Sequence, residues 1–258
     1  MSESRKIRVA AIADCHYTKA SAGHLKDVFV RASESADLLV ICGDLTDYGL
    51  PEEAAILAQD LKSFVSIPCL AVVGNHDFES GKIQEVQETL TQAGVQFLDG
   101  EAVEIHGAGF AGVCGFGGGF DRQMLNPWGE PMIKAFVQES LDHALRLEKA
   151  LNRLTMDRRV VLLHYSPIRQ TVEGENPEIF PFLGSSRLEN PINQFKVSAV
   201  FHGHAHNGNL HGQTSAQVPV FNVALPVLAR QNGKDCLTIF LSSNFSDSYP
   251  SKMLRRPP

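Results

Sequence analysis

The first third of the chain alternates short apolar runs with longer segments of helical hydrophobic periodicity. Three runs that are nonpolar on both faces predict strands, at residues 7–13, 37–42 and 68–73. Three segments with apolar positions at helical spacing follow them, at residues 22–36, 51–64 and 82–93. The second of these opens with Pro51, which is typical of a helix start. This alternation predicts a parallel sheet covered by helices.

The pattern changes after Gly94. Residues 96–116 read as short strands joined by glycine turns, and the loop at 117–131 leads into a long amphipathic helix from about 132 to 154. Further strands are predicted at residues 159–163, 197–201, 218–223 and 237–241. An irregular stretch lies before residue 184. Two sheets flanked by helices, in one domain over 1–245 with a loosely ordered tail at 246–258, describe this pattern most simply.

Composition narrows the class of protein. Of 258 residues, 43% are hydrophobic and 20% are charged, the balance of a soluble globular protein. No apolar run approaches the roughly 18 residues that span a membrane, and the first apolar segment reads as a strand and not as a signal peptide. A net charge of −6 without a basic cluster argues against an extended nucleic-acid surface. We therefore expect a cytoplasmic protein without nucleic-acid or membrane partners, and composition leaves a homo-oligomer open.

The five cysteines are an odd number and form no CxxC pair. They are best interpreted as small buried hydrophobes in a reducing compartment. Cys15 stands between two candidate metal ligands, so thiolate ligation there is a minor alternative.

Metal-binding side chains follow the three predicted N-terminal strands. Asp14 and His16 stand two residues apart at the end of the first strand, Asp44 follows the second, and Asn75 and His76 follow the third. Ligand sites in open parallel sheets gather beyond the carboxyl ends of the strands. The sequence therefore delivers oxygen and imidazole groups to one edge.

The later strands do the same. His164 directly follows one apolar strand, and the segment HGHAH places His202, His204 and His206 after another. Each residue alone has an ordinary explanation, as a helix cap or as a hydrogen-bonded polar group. Five strand ends that all carry such residues favour a metal site. Oxygen and imidazole ligands in combination suit Mn, Fe, Zn or Ni better than Ca or Mg.

The ordered blocks D-C-H at 14–16, G-D at 43–44, G-N-H-D at 74–77, His164 and G-H-A-H at 203–206 resemble the calcineurin-like metallophosphoesterase superfamily. The resemblance runs from Asp14 to His206. It implies an α/β fold of two facing mixed β-sheets sandwiched between helices, in four layers. It also implies hydrolysis of a phosphoester at a centre of two divalent or trivalent transition-metal ions.

Carried over by motif, the resemblance implies a role for each site residue. One ion would be held by Asp14, His16 and His206, the other by Asn75, His164 and His204, with Asp44 bridging both. A metal-bridging hydroxide would attack phosphorus. His76 would act on the leaving oxygen, and Asp47, three residues past the bridging Asp44, would orient His76. The resemblance assigns no role to His202, and we expect it to support the site from behind or simply to pack.

The motifs look nearest to the bacterial cyclic-nucleotide phosphodiesterase branch, although this chain has His164-Tyr165 where that branch often carries two histidines. A small phosphoester, with a nucleotide as one candidate, is the expected substrate. Arg122 and Trp128, in the loop before the long helix, and Tyr165 are candidate substrate contacts; a structured surface loop is the alternative for the first two. A phosphomonoesterase or protein phosphatase, and a binding protein that kept the fold without the chemistry, remain alternatives.

Overall fold

The computed structural model describes residues 7–231 and 237–241. The strands are β1 (Ile7–Ile12), β2 (Leu38–Cys42), β3 (Cys69–Val72), β4 (Val95–Phe97), β5 (Glu101–Ile105), β6 (Ala108–Gly112), β7 (Arg159–Leu162), β8 (Ala199–His202), β9 (His211–Gln213), β10 (Pro219–Asn222) and β11 (Leu237–Leu241). The α-helices are α1 (Lys26–Ser35), α2 (Pro51–Phe64), α3 (Ile83–Thr91), α4 (Pro131–Asn152), α5 (Phe180–Leu183), α6 (Glu189–Gln194) and α7 (Leu225–Arg230).

The described strands form two mixed sheets. The first has the order β11-β1-β2-β3-β4, with β11 antiparallel to β1 and the other neighbours parallel. The second has the order β5-β6-β7-β8-β10-β9, with a parallel centre and antiparallel pairs at both ends. The parallel centres bring the carboxyl ends of β1, β2 and β3, and of β7 and β8, to common edges.

The two sheets face each other across a shared core. Alternate residues of β7 divide between two environments, because successive side chains of a strand point to opposite faces. Val160 and Leu162 pack into the cluster that contains the first sheet, whereas Val161 packs with Leu147 and Leu151 of α4 on the other side. Helices α1, α2 and α3 cover the first sheet, so the order of layers is helix, sheet, sheet, helix.

Local chemistry accounts for the main helix starts. Both α2 and α4 begin with a proline, whose missing N–H costs nothing in the first turn. At α2, the buried carboxylate of Glu53 accepts hydrogen bonds from the N–H groups of Tyr48 and Leu50, at 2.9 and 3.3 Å. The second bond satisfies an N–H group at the helix N-terminus, and the first ties the preceding loop to it.

The observed fold confirms the predicted α/β class with two mixed sheets and covering helices. Most predicted elements lie within a few residues of the observed ones. Within 96–116 the picture differs, because β4 joins the first sheet while β5 and β6 form a hairpin in the second. The short elements α5, α6, α7 and β9 were not predicted, since each has fewer than seven residues and too short a pattern to stand out.

Four cysteines, Cys15, Cys42, Cys69 and Cys114, are buried and unbridged, as the sequence interpretation expects, and Cys236 lies outside the described residues. The predicted tail at 246–258 also lies outside them. Among the described residues, no helix combines the length and hydropathy that a membrane span requires.

Candidate metal centre

The candidate ligands lie on loops that leave the carboxyl ends of strands in both sheets. Backbone hydrogen bonds tie these loops together. The Asp14 N–H donates to the Gly43 carbonyl at 3.0 Å, and the His16 N–H donates to the Asp44 carbonyl at 3.0 Å. Across the sheets, the His204 N–H lies 3.0 Å from Asp14 Oδ2. The ligand loops are therefore held to one another before any ion binds.

Four of the candidate ligands have an unusual backbone. The φ angle is 60° at Asp14, 43° at His16, 48° at Asp44 and 69° at His204, all in the left-handed region that residues with a Cβ rarely adopt. Such conformations persist only where the surrounding structure enforces them, and they cluster at functional sites.

Three glycines, each directly before a candidate ligand, leave room for the site. A Cβ on Gly43 would collide with the His164 ring, one on Gly74 with the Asp44 carboxylate, and one on Gly203 with Asp14. The glycines of the GD, GNHD and GHAH blocks are thus explained by close approach of side chains from neighbouring loops.

Asp14, His16 and His206 form the first cluster. One ligand atom from each lies within 4.8 Å of the others. His206 Nε2 is 3.0 Å from Asp14 Oδ1. Burial opposes ionisation of Asp14, but the hydrogen bond from His206 and the nearby histidine charges outweigh it and lower its pKa. The same hydrogen bond raises the pKa of His206.

Asp44, His164 and His204 form the second cluster, again with ligand atoms within 4.8 Å. The amide of Asn75 joins it, with Oδ1 2.9 Å from His164 Nε2. Burial lowers the pKa of His164, and burial together with the His164 charge lowers the pKa of His204 to about 3. Both imidazoles are therefore neutral at pH 7, the form that binds metal.

Asp44 stands between the two clusters. Its Oδ1 lies 3.4 Å from His164 Nε2, and its Oδ2 lies 3.7 Å from His16 Nε2. Burial, followed by the charges of Asp14 and Asp77, raises its pKa to about 8. A cation between the clusters would reverse this shift, because it stabilises the carboxylate form.

The donor set fits metal ions. Both ring nitrogens of His16 are buried and have no hydrogen-bond partner among the described residues. Asp47 Oδ1 is 3.2 Å from Nδ1 but lies outside hydrogen-bonding geometry. His164 Nδ1 lies 3.0 Å from the Cys42 carbonyl, which can only accept, so Nδ1 carries the proton. His164 Nε2 then presents a lone pair towards the oxygens of Asn75 and Asp44. A cation between these atoms would accept their lone pairs, which otherwise repel one another.

His76 and Asp47 adopt a different contact from the one expected. His76 Nδ1 lies 2.7 Å from the backbone carbonyl of Asp47, whereas the Asp47 carboxylate faces His16. The segment that contains Asp47 does orient His76, but through its main chain. Because that carbonyl can only accept, the hydrogen bond places a proton on Nδ1 and leaves the lone pair on Nε2.

Sequence reasoning assigned no role to Asp77. It is completely buried, and its carboxylate accepts from the N–H groups of Leu45, Thr46 and Gly74 and from the Thr46 hydroxyl, at 2.6–3.3 Å. Asp77 therefore clamps the loop of Asp44 to the loop of Asn75. In the sequence, the position of Asp77 within the GNHD block is the feature that could have indicated this role.

His202 is buried behind the site and lacks a place in either cluster. Its Nδ1 lies 2.9 Å from the Gly203 carbonyl and its Nε2 lies 2.8 Å from the Thr171 hydroxyl. Burial lowers its pKa to about 4, so it is a neutral support for the loop that carries His204 and His206.

The three candidate substrate contacts differ in their distance from the clusters. The Tyr165 ring lies 4.5 Å from the His204 ring and 5.4 Å from the His164 ring, next to the second cluster. Arg122 is exposed in a one-turn 3₁₀ helix at Asp121–Gln123, and Trp128 is 69% exposed. The structure gives neither of them a contact with the clusters.

The comparisons associate this fold, two mixed sheets with candidate metal ligands at one edge, with the metallophosphoesterases. A family model of the calcineurin-like phosphoesterases matches residues 7–208. The chain belongs to this metal-dependent family and is a phosphoesterase by that membership. A search of curated proteins returned no match.

Solved structures show the same fold. Phosphopantetheinyl hydrolase (PptH) from Mycobacterium tuberculosis superposes with a TM-score of 0.66 at 14% identity, over 93% of this chain and 98% of that one. The protein TT1561 of Thermus thermophilus superposes with a TM-score of 0.57 at 15% identity, over 92% of this chain and 99% of that one. At such identities the likeness concerns the fold and not the substrate.

Proposed function

We propose that the protein is a dinuclear-metal phosphoester hydrolase whose preferred substrate is a phosphodiester. One ion would be held by Asp14, His16 and His206, and the other by Asn75, His164 and His204. Asp44 would bridge the two ions. Mn, Fe, Zn and Ni all suit this mixture of oxygen and imidazole ligands.

The observation that supports two ions best is the position of Asp44. Each of its carboxylate oxygens points towards a histidine of a different cluster, at 3.4 and 3.7 Å. A carboxylate placed between the two clusters in this way would suit a bridging role. Asp44 accepts one backbone hydrogen bond, from the His76 N–H to Oδ1 at 2.9 Å, whereas both oxygens of the structural Asp77 accept from backbone N–H groups.

Two ions in such a site supply Lewis acidity, which polarises phosphoryl oxygens and lowers the pKa of water. The chain supplies the remaining parts. His76, whose Nδ1–H donates to the Asp47 carbonyl, would direct Nε2 to a phosphate or leaving-group oxygen. With both ring nitrogens protonated, it would donate the Nε2 proton to that oxygen and return to the neutral form. Asp77 keeps the loops of Asp44 and Asn75 in register while charge builds up on the substrate.

The experiment compares bis(p-nitrophenyl) phosphate with p-nitrophenyl phosphate on protein reconstituted with Mn, and repeats both with His76→Ala. We expect hydrolysis with a diester preference, and a loss of roughly 100-fold to 10,000-fold in kcat for His76→Ala at unchanged metal content. A monoester preference would move the assignment to a phosphatase. Metal-loaded protein that hydrolyses neither ester would contradict the proposal and favour a binding protein.

A further inference from the structure

An aromatic cavity of about 290 Å³ opens beside the second cluster. Its walls include Asn75, Phe78, Phe116, Tyr165 and His143. Asn75 belongs to the candidate ligand set, and the Tyr165 ring lies 4.5 Å from that of His204. A phosphoryl group held at the metal centre would therefore have this cavity as its immediate neighbour.

The cavity wall is held in place from the side of α4. His143 is buried, its Nδ1 accepts from the Gly115 N–H at 3.2 Å, and its ring lies nearly parallel (8°) to that of Phe116. Phe116 also contacts Tyr165, with ring centroids 5.9 Å apart. Helix α4 thus fixes the loop that presents Phe116, and the rings form a prearranged surface.

A second cavity, of about 450 Å³, borders Asp14 and His16 of the first cluster. Apart from these two residues and His24, its walls are small or aliphatic, as in Ala20, Leu225 and Pro226. Of these two cavities, the one beside Tyr165 is lined by several aromatic rings. Planar rings stack on such walls whatever their substituents, whereas aliphatic walls give no such preference.

Glu139 adds a polar group to the aromatic cavity. Its Oε1 lies 3.1 Å from His143 Nε2, and the side chain remains about half exposed. Within the described part of the chain, its Oε2 has no hydrogen-bond partner. A carboxylate can only accept, so it suits a ligand that offers an N–H group at the ring edge.

Building on the proposed hydrolase function, we propose that this cavity binds the ester group of the substrate, and that this group is an amino-substituted planar ring such as a nucleobase. The ring stacks on Phe116, contacts the Tyr165 ring, which is tilted by 44° from that of Phe116, and directs its amino group to Glu139. A volume of about 290 Å³ suits one such ring system. The cavity is a specificity site, and the metal centre remains the site of reaction.

The test measures calorimetric dissociation constants on Mn-loaded protein for adenosine 5′-monophosphate, inosine 5′-monophosphate and ribose 5-phosphate. We expect the adenine nucleotide to bind at least about 5-fold more tightly than ribose 5-phosphate, since stacking on aromatic side chains contributes that much or more. Phe116→Leu should reduce this preference to about 2-fold or less. Phe97→Leu, a similarly half-buried phenylalanine in β4, is the matched control and should preserve it.

Glu139→Gln tests the polar contact independently, and this exposed position tolerates the change without repacking. It should weaken the adenine nucleotide several-fold and leave or strengthen the inosine nucleotide, which carries a ring carbonyl in place of the amino group. Equal affinity for the adenine nucleotide and ribose 5-phosphate, on protein that hydrolyses bis(p-nitrophenyl) phosphate, would overturn the cavity assignment alone. Absence of hydrolysis on metal-loaded protein would instead overturn the proposed function and this inference with it.

Discussion

At the residue level, backbone carbonyls orient several histidines of the candidate site. In three of them, the ring nitrogen that faces away from the site meets a backbone carbonyl: His164 meets Cys42, His204 meets Phe182, and His76 meets Asp47, at 3.0, 3.1 and 2.7 Å. A carbonyl can only accept, so each contact sets the tautomer and leaves the other nitrogen free. Partners of this kind orient metal-binding histidines and increase their basicity.

Asp77→Asn tests the clamp between the two ligand loops. The amide would place an NH₂ group against N–H donors that now point at a carboxylate oxygen, so at least one buried donor loses its partner. We expect the free energy of unfolding to fall by about 1–3 kcal/mol, and Mn affinity to fall by roughly 10-fold to 100-fold. Urea denaturation and calorimetry measure both quantities.

Asp142→Asn, on the exposed face of α4, is the control and should change neither quantity. An Asp77→Asn protein with the stability and Mn affinity of the wild type would show that the clamp is dispensable.

The motif spacing predicted the residues that the structure brings together in the two clusters, because side chains that follow parallel strands meet at one edge. It did not predict which atom of Asp47 faces His76. That choice depends on the turn between Asp44 and Tyr48 and on the clamp by Asp77, which are tertiary contacts. Nor did it predict the cavity, whose walls come from Asn75, Gly115, Tyr165 and α4, far apart in sequence.

At the level of elements, the site is built from strand ends that approach more closely than ordinary side chains allow. The glycines of the ligand loops make this approach sterically feasible. The long strands and helices were predictable from periodicity alone. The stretch after His164 was not, because its order rests on contacts such as the one between Ser166 and Thr171, whose hydroxyls lie 2.8 Å apart.

Gly203→Ala tests the need for close approach. The added methyl group would overlap the Asp14 carboxylate and displace it from His206 and His204. We expect Mn affinity to fall by at least about 10-fold, with a loss of stability of about 1–3 kcal/mol from overpacking. Calorimetric titration with Mn measures the first effect.

Gly81→Ala serves as the comparison. Gly81 has a φ of +74° and open space around its Cβ position, so alanine there adds backbone strain without crowding. It should cost about 1–2 kcal/mol of stability and leave Mn affinity unchanged. Equal Mn affinity in Gly203→Ala and Gly81→Ala would contradict the crowding argument.

The packing of α4 against the Gly115 loop predicts a pH dependence. Burial, with a contribution from the Arg146 charge, lowers the pKa of His143 from 6.5 to about 4. Below pH 6.5 the unfolded chain takes up a proton that the folded chain does not accept until about pH 4. The contribution of His143 to the free energy of unfolding is therefore complete above pH 6.5 and is lost as the pH falls towards 4.

Between pH 7 and pH 5, the wild type should lose on the order of 2 kcal/mol more stability than His143→Gln does. Urea denaturation at the two pH values measures this difference. His24→Gln, at an exposed histidine, should follow the wild type. Parallel pH profiles for the wild type and His143→Gln would show that His143 does not resist protonation in the fold.

On the scale of the whole molecule, each sheet supplies part of the site. Asp14, His16, Asp44 and Asn75 follow strands of the first sheet, while the remaining candidate ligands follow β7 and β8 of the second. The site can therefore form only where the two sheets are packed face to face. The single domain over residues 1–245 stays a prediction, and so does the cyclic-nucleotide branch. The similarity to solved structures concerns the fold and tests neither of them.

The central claim is that one carboxylate, that of Asp44, joins two ions in a single centre. The most direct measurement is the number of Mn ions bound per chain, by calorimetry and elemental analysis, in the wild type and in Asp44→Asn. Our account predicts two ions in the wild type and weakened binding of both in the variant, because the amide nitrogen cannot bind an ion. Loss of one ion with normal binding of the other, or a single ion in the wild type, would contradict it.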